Sequence, residues 1–185
     1  MSTPFKAEFV ENFLIVWDPK SGSELFKHGF YGKPLGIPKP KSPDFDVPLV
    51  LDLMEGLYLV EKGLIRVFEG SGKKNVDPDV LRERARKLYE DFDLKYLVYR
   101  DLREKGLVVT PGVKYGCDFA VYKRGPGIDH APFMVSVKSR KDEISATDIV
   151  RAGRLATTVR KRFIIAVPDF EENRVEYLIF RWFKA

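Results

Sequence analysis

The first half of the chain alternates between short apolar segments and turn-forming segments. Residues 5–17 are rich in aromatic and β-branched side chains, which predicts one strand or a short hairpin. The polar segment 18–23 (Asp-Pro-Lys-Ser-Gly-Ser) is typical of a turn. Residues 49–62 have apolar side chains at helical spacing and predict a helix that ends at Gly63. A short strand is expected at Leu64–Phe68.

Two helices are predicted in the middle of the chain, where the composition changes. The pair Asp77-Pro78 indicates a helix start, and the following residues alternate Arg and Glu as on a solvated surface. A second helix is predicted over residues 93–105, with Gly106 as its stop. We place a domain boundary near residue 91, which gives domains of residues 1–91 and 92–185. The expected apolar face of the second helix contains Leu94, Leu97, Val98 and Leu102.

The second half contains strand-like segments and one further helix. Ser145 followed by Asp148 is close to a capping box and predicts a helix with an apolar face at Ala146, Ile149, Val150, Gly153 and Ala156. The resulting order is α-β-β-β-α-β-β, which predicts an α+β protein with a small N-terminal α/β domain and a C-terminal mixed sheet. The predicted strands are Leu107–Thr110, Tyr115–Tyr122, Phe133–Lys138, Phe163–Val167 and, after an acidic turn, Arg174–Phe183.

Composition narrows the class of protein. The 185 residues are 44% hydrophobic and 32% charged, with no apolar run of about 20 residues and no signal-peptide core, so we expect a cytoplasmic protein. The single cysteine, Cys117, excludes an internal disulfide and a cysteine-based zinc site. The absence of Gln and the scarcity of Asn are typical of thermophilic proteins. A net charge of +5 favours a polyanionic partner.

The candidate chemistry centres on three side chains. His130 lies at a turn-to-strand junction, whereas His28 lies in a loop-like segment and is expected to be structural or exposed. Histidine donates protons near neutrality, lysine stabilises negative charge, and tyrosine acts as a base only if its anion is stabilised. Tyr122, His130 and Lys161 would therefore suit metal-free RNA cleavage by the 2′-hydroxyl group. Lys123, Arg124 and Lys161 are candidates for stabilising the Tyr122 anion.

A metal-dependent DNA nuclease is the competing interpretation. Asp118 could supply one carboxylate, but the next predicted strand reads Ser136-Val137-Lys138 and lacks the second. No metal ligand set or cofactor is therefore predicted. The proline-rich loop at 36–43 holds Lys39 and Lys41, which indicates either a solvated loop or an arm that touches RNA.

The chain resembles the tRNA-splicing endonuclease family, in its archaeal form. The resemblance rests on ordered motifs spread over most of the sequence. They are 31–36 (Tyr-Gly-Lys-Pro-Leu-Gly), 55–63 (Glu-Gly-Leu-Tyr-Leu-Val-Glu-Lys-Gly), 98–106, 114–122 (Lys-Tyr-Gly-Cys-Asp-Phe-Ala-Val-Tyr), His130 with 133–137, and 154–161 leading into 163–166.

The resemblance implies roles for particular residues. Tyr122 matches the family's general base, His130 its general acid and Lys161 the residue that stabilises the transition state. The implied substrate is precursor tRNA with a bulge-helix-bulge, and the implied products carry 2′,3′-cyclic phosphate and 5′-hydroxyl ends. Arg154 and Arg174 match the arginines that stack on a bulge base. The C-terminal domain would resemble a restriction-endonuclease-like nuclease fold.

The resemblance also implies an assembly of four domain pairs. A chain with all three catalytic residues fits a homotetramer or a heterotetramer with a paralogous structural subunit, and the loop at 36–43 favours the heterotetramer. The acidic turn 169–172 and the strand 177–183 match the segments that make subunit contacts in the family. A non-catalytic RNA-binding subunit of the same assembly is the alternative, which the three catalytic matches oppose.

Overall fold

A computed structural model describes residues 4–38, 40–70, 74–158 and 161–179. The chain divides into two compact units, with the boundary between Phe92 and Asp93. The described residues form two mixed sheets and five helices, so the α+β class is confirmed. None of the helices in these residues is long and apolar enough to cross a bilayer.

The first unit is built on a six-stranded sheet in the order β3-β4-β2-β1-β5-β6. Strands β1 and β5 are parallel, and the other neighbours are antiparallel. Of the two alternatives predicted for residues 5–17, one strand or a short hairpin, the structure has the hairpin, in which Glu11 adopts a positive φ of 55° between β1 and β2. The strands are β1 Phe5–Val10, β2 Phe13–Val16, β3 Lys33–Pro34, β4 Leu49–Leu51, β5 Ile65–Glu69 and β6 Lys74–Asn75.

Three helices complete the first unit, and two of them correct the sequence prediction. The turn predicted for residues 18–23 is wrong, because Asp18 caps helix α1 and accepts from Ser21 N at 2.9 Å. The helix predicted from residue 49 begins later, because residues 49–51 form β4 and the Asp52 side chain caps α2. The predicted start of α3 after Asp77 is confirmed. The helices are α1 Pro19–Gly29, α2 Leu53–Glu61 and α3 Pro78–Leu88.

The second unit has a five-stranded sheet in the order β11-β10-β9-β8-β7. Strands β9 and β10 are parallel, and the other neighbours are antiparallel. The predicted order α-β-β-β-α-β-β is confirmed. Its elements are α4 Phe92–Glu104, β7 Val108–Pro111, a 3₁₀ turn Val113–Tyr115, β8 Phe119–Tyr122, β9 Phe133–Val137, α5 Ala146–Thr158, β10 Arg162–Asp169 and β11 Arg174–Ile179.

The second unit differs from the prediction in one strand and agrees with it at the start of α5. The strand expected at 115–122 is only Phe119–Tyr122, because Gly116 turns the chain with a positive φ of 68°. The capping box of α5 is confirmed by reciprocal bonds between Ser145 and Asp148. On the predicted apolar face of α5, Ile149 and Val150 are 51% and 60% exposed. Residues 180–183 of the predicted last strand lie outside the described residues.

Candidate active site

The topology of the second sheet brings the three predicted catalytic positions to one edge. Strand β8 ends at Tyr122 and runs antiparallel to β9, with Val121 opposite Phe133. Strand β10 runs parallel to β9, with Arg162 opposite Phe133. The end of β8 and the starts of β9 and β10 therefore share an edge of the sheet. His130 precedes β9 by three residues, and Lys161 directly precedes β10.

Lys161 is anchored to the segment that carries His130. Its Nζ donates to the carbonyl oxygen of Ala131 at 2.6 Å. The same ammonium group lies 5.1 Å from the centre of the Tyr115 ring. Burial lowers the pKa of Lys161, with a smaller opposing effect from Cys117. The lysine is thus held beside His130 in a partly buried position.

Tyr122 lies partly buried beside the core of the second unit. Burial raises the pKa of its phenol, and negative charge on Tyr115 or Asp129 would raise the pKa further. A hydrogen bond with Thr110 acts in the opposite direction, but the pKa remains above its ordinary value. Among the residues that the structure describes, no cation contributes to the shift of the Tyr122 pKa.

The expected role of Lys123, Arg124 and Lys161 in stabilising the Tyr122 anion is accordingly not observed. Lys123 and Arg124 are exposed, and none of the three cations is among the groups that shift the Tyr122 pKa. A raised pKa has two opposite effects on Tyr122 as a candidate base. The phenolate accepts a proton more readily, but a smaller fraction of the tyrosine is ionised at neutral pH.

The connection from Tyr122 to His130 is organised by one carboxylate. Asp129 accepts from the backbone N–H groups of Lys123 and Arg124 at 3.2 Å each and of Gly125 at 2.9 Å. Partial burial opposes ionisation, but these donors hold the pKa of Asp129 below its ordinary value. The loop is therefore closed immediately before His130, whose side chain is exposed to solvent and can be reached by a substrate.

The predicted RNA-binding residues are not all brought to this edge. Arg154 is exposed on α5, the helix that precedes Lys161. Arg174 lies at the opposite end of β10, where it pairs with Glu172 and with Glu176 at 3.1 Å. Lys41 is exposed in the proline-rich loop of the first unit, and Lys39 lies outside the described residues.

Asp118, the candidate first metal ligand, has structural partners on both oxygens. Its Oδ1 lies 3.2 Å from Lys95 Nζ, and its Oδ2 accepts from Val137 N at 2.8 Å. In the part of the chain that the structure describes, no cluster of three His, Cys, Asp or Glu side chains could hold a metal ion. The other histidine, His28, is exposed as expected, but it lies in the last turn of α1, so the loop-like segment predicted around it is wrong.

Sequence reasoning missed two residues of this site. Tyr115 was expected on a strand, but the 3₁₀ turn between Gly112 and Gly116 directs it towards Lys161. The flanking glycines were the signal for this turn. Asp129 lies two residues after a Gly-Pro-Gly turn segment, but it binds N–H groups four to six residues earlier in the chain, for which the sequence carries no local signal.

Comparison with known proteins gives consistent matches along the chain. Residues 5–82 match the N-terminal domain of tRNA intron endonucleases, and residues 92–177 match their catalytic C-terminal domain. The chain is 47% identical over 170 residues to a tRNA-splicing endonuclease from Hyperthermus butylicus, covering 92% of this chain and 93% of the relative. It is 41% identical over 180 residues to a tRNA-splicing endonuclease from Saccharolobus islandicus, and the match covers 97% of this chain and 98% of the relative. These findings confirm the resemblance seen in the sequence.

Proposed function

Because the chain belongs to the tRNA intron endonuclease family, we propose that it is the catalytic subunit of an enzyme that cuts introns from precursor tRNA without a metal ion. The observation that carries the proposal is the hydrogen bond from Lys161 to Ala131, which couples a cation to the segment bearing His130 at the sheet edge where Tyr122 lies. A base, an acid and a cation of different chemistry are the three groups that this reaction requires.

The proposed reaction breaks one bond and forms one bond at phosphorus. Tyr122 takes the proton of the 2′-hydroxyl group, whose oxygen attacks the adjacent phosphorus. His130 gives a proton to the departing 5′-oxygen, and Lys161 stabilises the charge on the non-bridging oxygens. The products are a 2′,3′-cyclic phosphate and a 5′-hydroxyl end. Tyr122 ends protonated and His130 deprotonated, so proton exchange with water restores the site.

The proposed substrate is RNA folded as a bulge-helix-bulge, held through its phosphates and an unstacked bulge base. Arg154 is the favoured stacking residue, because it lies exposed on the helix that leads to Lys161. Arg174 is a weaker candidate, since binding RNA would require it to leave its pairs with Glu172 and Glu176. Lys39 and Lys41 would contact RNA only as part of an extended arm.

We also propose that four domain pairs assemble, with a paralogous structural subunit in a heterotetramer or with copies of this chain in a homotetramer. The exposed apolar residues Leu178 and Ile179 on the edge strand β11 support a subunit contact there. The mixed sheet with flanking helices is compatible with the expected restriction-endonuclease-like fold. The proposal places the protein in the cytoplasm with its tRNA substrate.

The test is cleavage of a bulge-helix-bulge RNA in EDTA, with spermidine present so that the RNA stays folded. The chain is assayed alone and mixed with its candidate partner subunit, and the product ends are analysed chemically. We expect cyclic phosphate and 5′-hydroxyl ends in at least one of the two samples. Cleavage by the chain alone indicates a homotetramer, whereas cleavage only in the mixture indicates a heterotetramer.

A His130→Ala variant provides the matched control. General acid–base groups contribute roughly a hundredfold or more to rate, so we expect a loss of that size with nearly unchanged RNA affinity. Activity that appears only when magnesium is added, or a parallel fall in affinity and rate in the variant, would overturn the proposal.

A further inference from the structure

The ammonium group of Lys161 is held by an unusual pair of partners. One is the Ala131 carbonyl oxygen at 2.6 Å, and the other is the face of the Tyr115 ring at 5.1 Å from its centre. Within the described residues, no carboxylate forms an ion pair with Lys161. Among these residues, the group is therefore fixed in position without an ion pair to a carboxylate.

This arrangement suits a lysine that must act on a phosphate. A carboxylate would hold the ammonium group firmly but would oppose the field that the lysine exerts on a developing negative charge. An aromatic face attracts a cation through its quadrupole and carries no net charge. The full positive charge thus remains available for the transition state, where it contributes to rate.

The ring of Tyr115 is itself held in place by the local fold. Tyr115 N donates to Gly112 O at 2.8 Å, and Gly116 N donates to Val113 O at 3.0 Å, which closes the 3₁₀ turn. The side chain packs against a buried cluster that includes Ala131, the residue whose carbonyl oxygen binds Lys161. One rigid support therefore carries both partners of the ammonium group.

We propose that Tyr115 is a positioning residue for cleavage, whose ring face holds the Lys161 ammonium group at the sheet edge while leaving its charge available to the scissile phosphate. The inference rests on the proposed function, in which Lys161 stabilises the transition state. It assigns Tyr115 no proton transfer and no contact with the reacting atoms.

The first test compares Tyr115→Leu with Tyr115→Phe in single-turnover cleavage of a bulge-helix-bulge RNA at saturating enzyme. Leucine removes the aromatic face, and we expect the rate constant to fall by about tenfold, as for a partly desolvated cation–π pair. Phenylalanine keeps the face and removes the hydroxyl group, so it should restore most of the loss. Equal losses in the two variants would instead assign the effect to the hydroxyl group and overturn the proposal.

A double-mutant cycle with Lys161→Met separates positioning from general structural damage. If Tyr115 acts through Lys161, Tyr115→Leu should lower the rate of the Lys161→Met enzyme by less than twofold. An undiminished tenfold effect in that background would refute the role of Tyr115. A Lys161→Met enzyme that cleaves at the unmodified rate would refute the role of Lys161, and hence the proposed function.

A second series keeps the test valid if Tyr115→Leu does not fold. Position 115 is replaced by phenylalanine analogues of increasing ring fluorination, which weaken the ring quadrupole with little change in shape. The cleavage rate should fall progressively with fluorination in the Lys161 enzyme and stay flat in Lys161→Met. A rate that is independent of fluorination would contradict the proposal.

Discussion

Replacing Asp129 with alanine should impair cleavage while leaving the fold and RNA binding intact. The Asp129 carboxylate binds three consecutive N–H groups, at Lys123, Arg124 and Gly125, over distances of 2.9–3.2 Å. The next residue along the chain is His130, the proposed general acid. Loss of the carboxylate releases the loop that sets where His130 lies.

The size of the effect follows from those three bonds. Each bond in a folded protein contributes a net of about 0.5–1.5 kcal/mol, and solvent competes strongly at this exposed loop. We therefore take about 1.4 kcal/mol for the whole set, which corresponds to roughly a tenfold fall in the equilibrium constant for loop closure. The cleavage rate constant should fall by a factor that approaches ten if the loop is mostly open in the variant. Because the loop can open without disrupting the sheet, the free energy of unfolding should change little.

The assay is single-turnover cleavage at saturating enzyme, with RNA affinity and thermal unfolding measured on the same samples. Asp142→Ala is the matched control, because Asp142 binds Ser139 N at 2.8 Å in another exposed loop, between β9 and α5. We expect this control to cleave at the unmodified rate. Asp129→Asn keeps an oxygen acceptor without the charge and should lie between the two.

Two results would refute this reasoning. If Asp129→Ala cleaves as fast as the unmodified chain, the loop does not control the position of His130. If Asp129→Ala and Asp142→Ala lose activity equally, the effect reflects exposed loops in general.

Three further predictions concern the second unit. Gly112→Ala should destabilise it by about 1–3 kcal/mol in urea unfolding, because the added Cβ would lie 2.6 Å from Cys117 Sγ and 2.8 Å from two backbone atoms. Full recovery of stability in a Gly112→Ala, Cys117→Ala double variant would contradict the backbone clash, because it would assign the whole effect to the thiol. Arg154→Ala and Arg154→Lys should both weaken RNA capture at subsaturating enzyme, because lysine lacks the planar group, and full capture by Arg154→Lys would exclude stacking. The Tyr177 hydroxyl group donates to Asp101, and burial together with this hydrogen bond raises the pKa of Tyr177. The protonated tyrosine therefore contributes its full stabilisation below a pH of about 10, and this contribution is lost as the pH rises further. Urea unfolding from about pH 9 to 11 should therefore lose less stability in Tyr177→Phe than in the unmodified chain, and equal losses would contradict this.

Helix starts and helical apolar faces could be predicted from the sequence where the signal lies within a few residues. The Ser145–Asp148 capping box forms as expected, because both partners lie within one turn of the same helix. The turn predicted at Asp18 was wrong, since an Asp-Pro pair begins a helix as readily as a turn. Apolar spacing also predicted α5 correctly, but Ile149 and Val150 on its apolar face are exposed, because periodicity identifies an apolar face and does not determine whether that face is buried within the chain.

The candidate site was only partly predictable, because its contacts join distant parts of the chain. Side-chain chemistry and the resemblance to a known family both singled out Tyr122, His130 and Lys161 as candidates, whereas only the sheet topology shows that their positions share one edge. The packing of Lys161 on Tyr115 spans 46 positions and depends on a 3₁₀ turn, whose signal in the sequence is the pair of flanking glycines Gly112 and Gly116. The ion pairs of Arg174 likewise depend on the register of the last two strands.

The central claim, RNA cleavage with His130 as general acid, is tested most directly by changing the leaving atom. A bulge-helix-bulge RNA with sulfur in place of the bridging 5′-oxygen has a leaving group that needs no proton. In EDTA, His130→Ala should cleave the oxygen substrate at least a hundredfold more slowly than the unmodified chain does. On the sulfur substrate, the variant and the unmodified chain should cleave at similar rates. Tyr122→Phe should remain slow on both. An equal defect of His130→Ala on the two substrates would contradict the account.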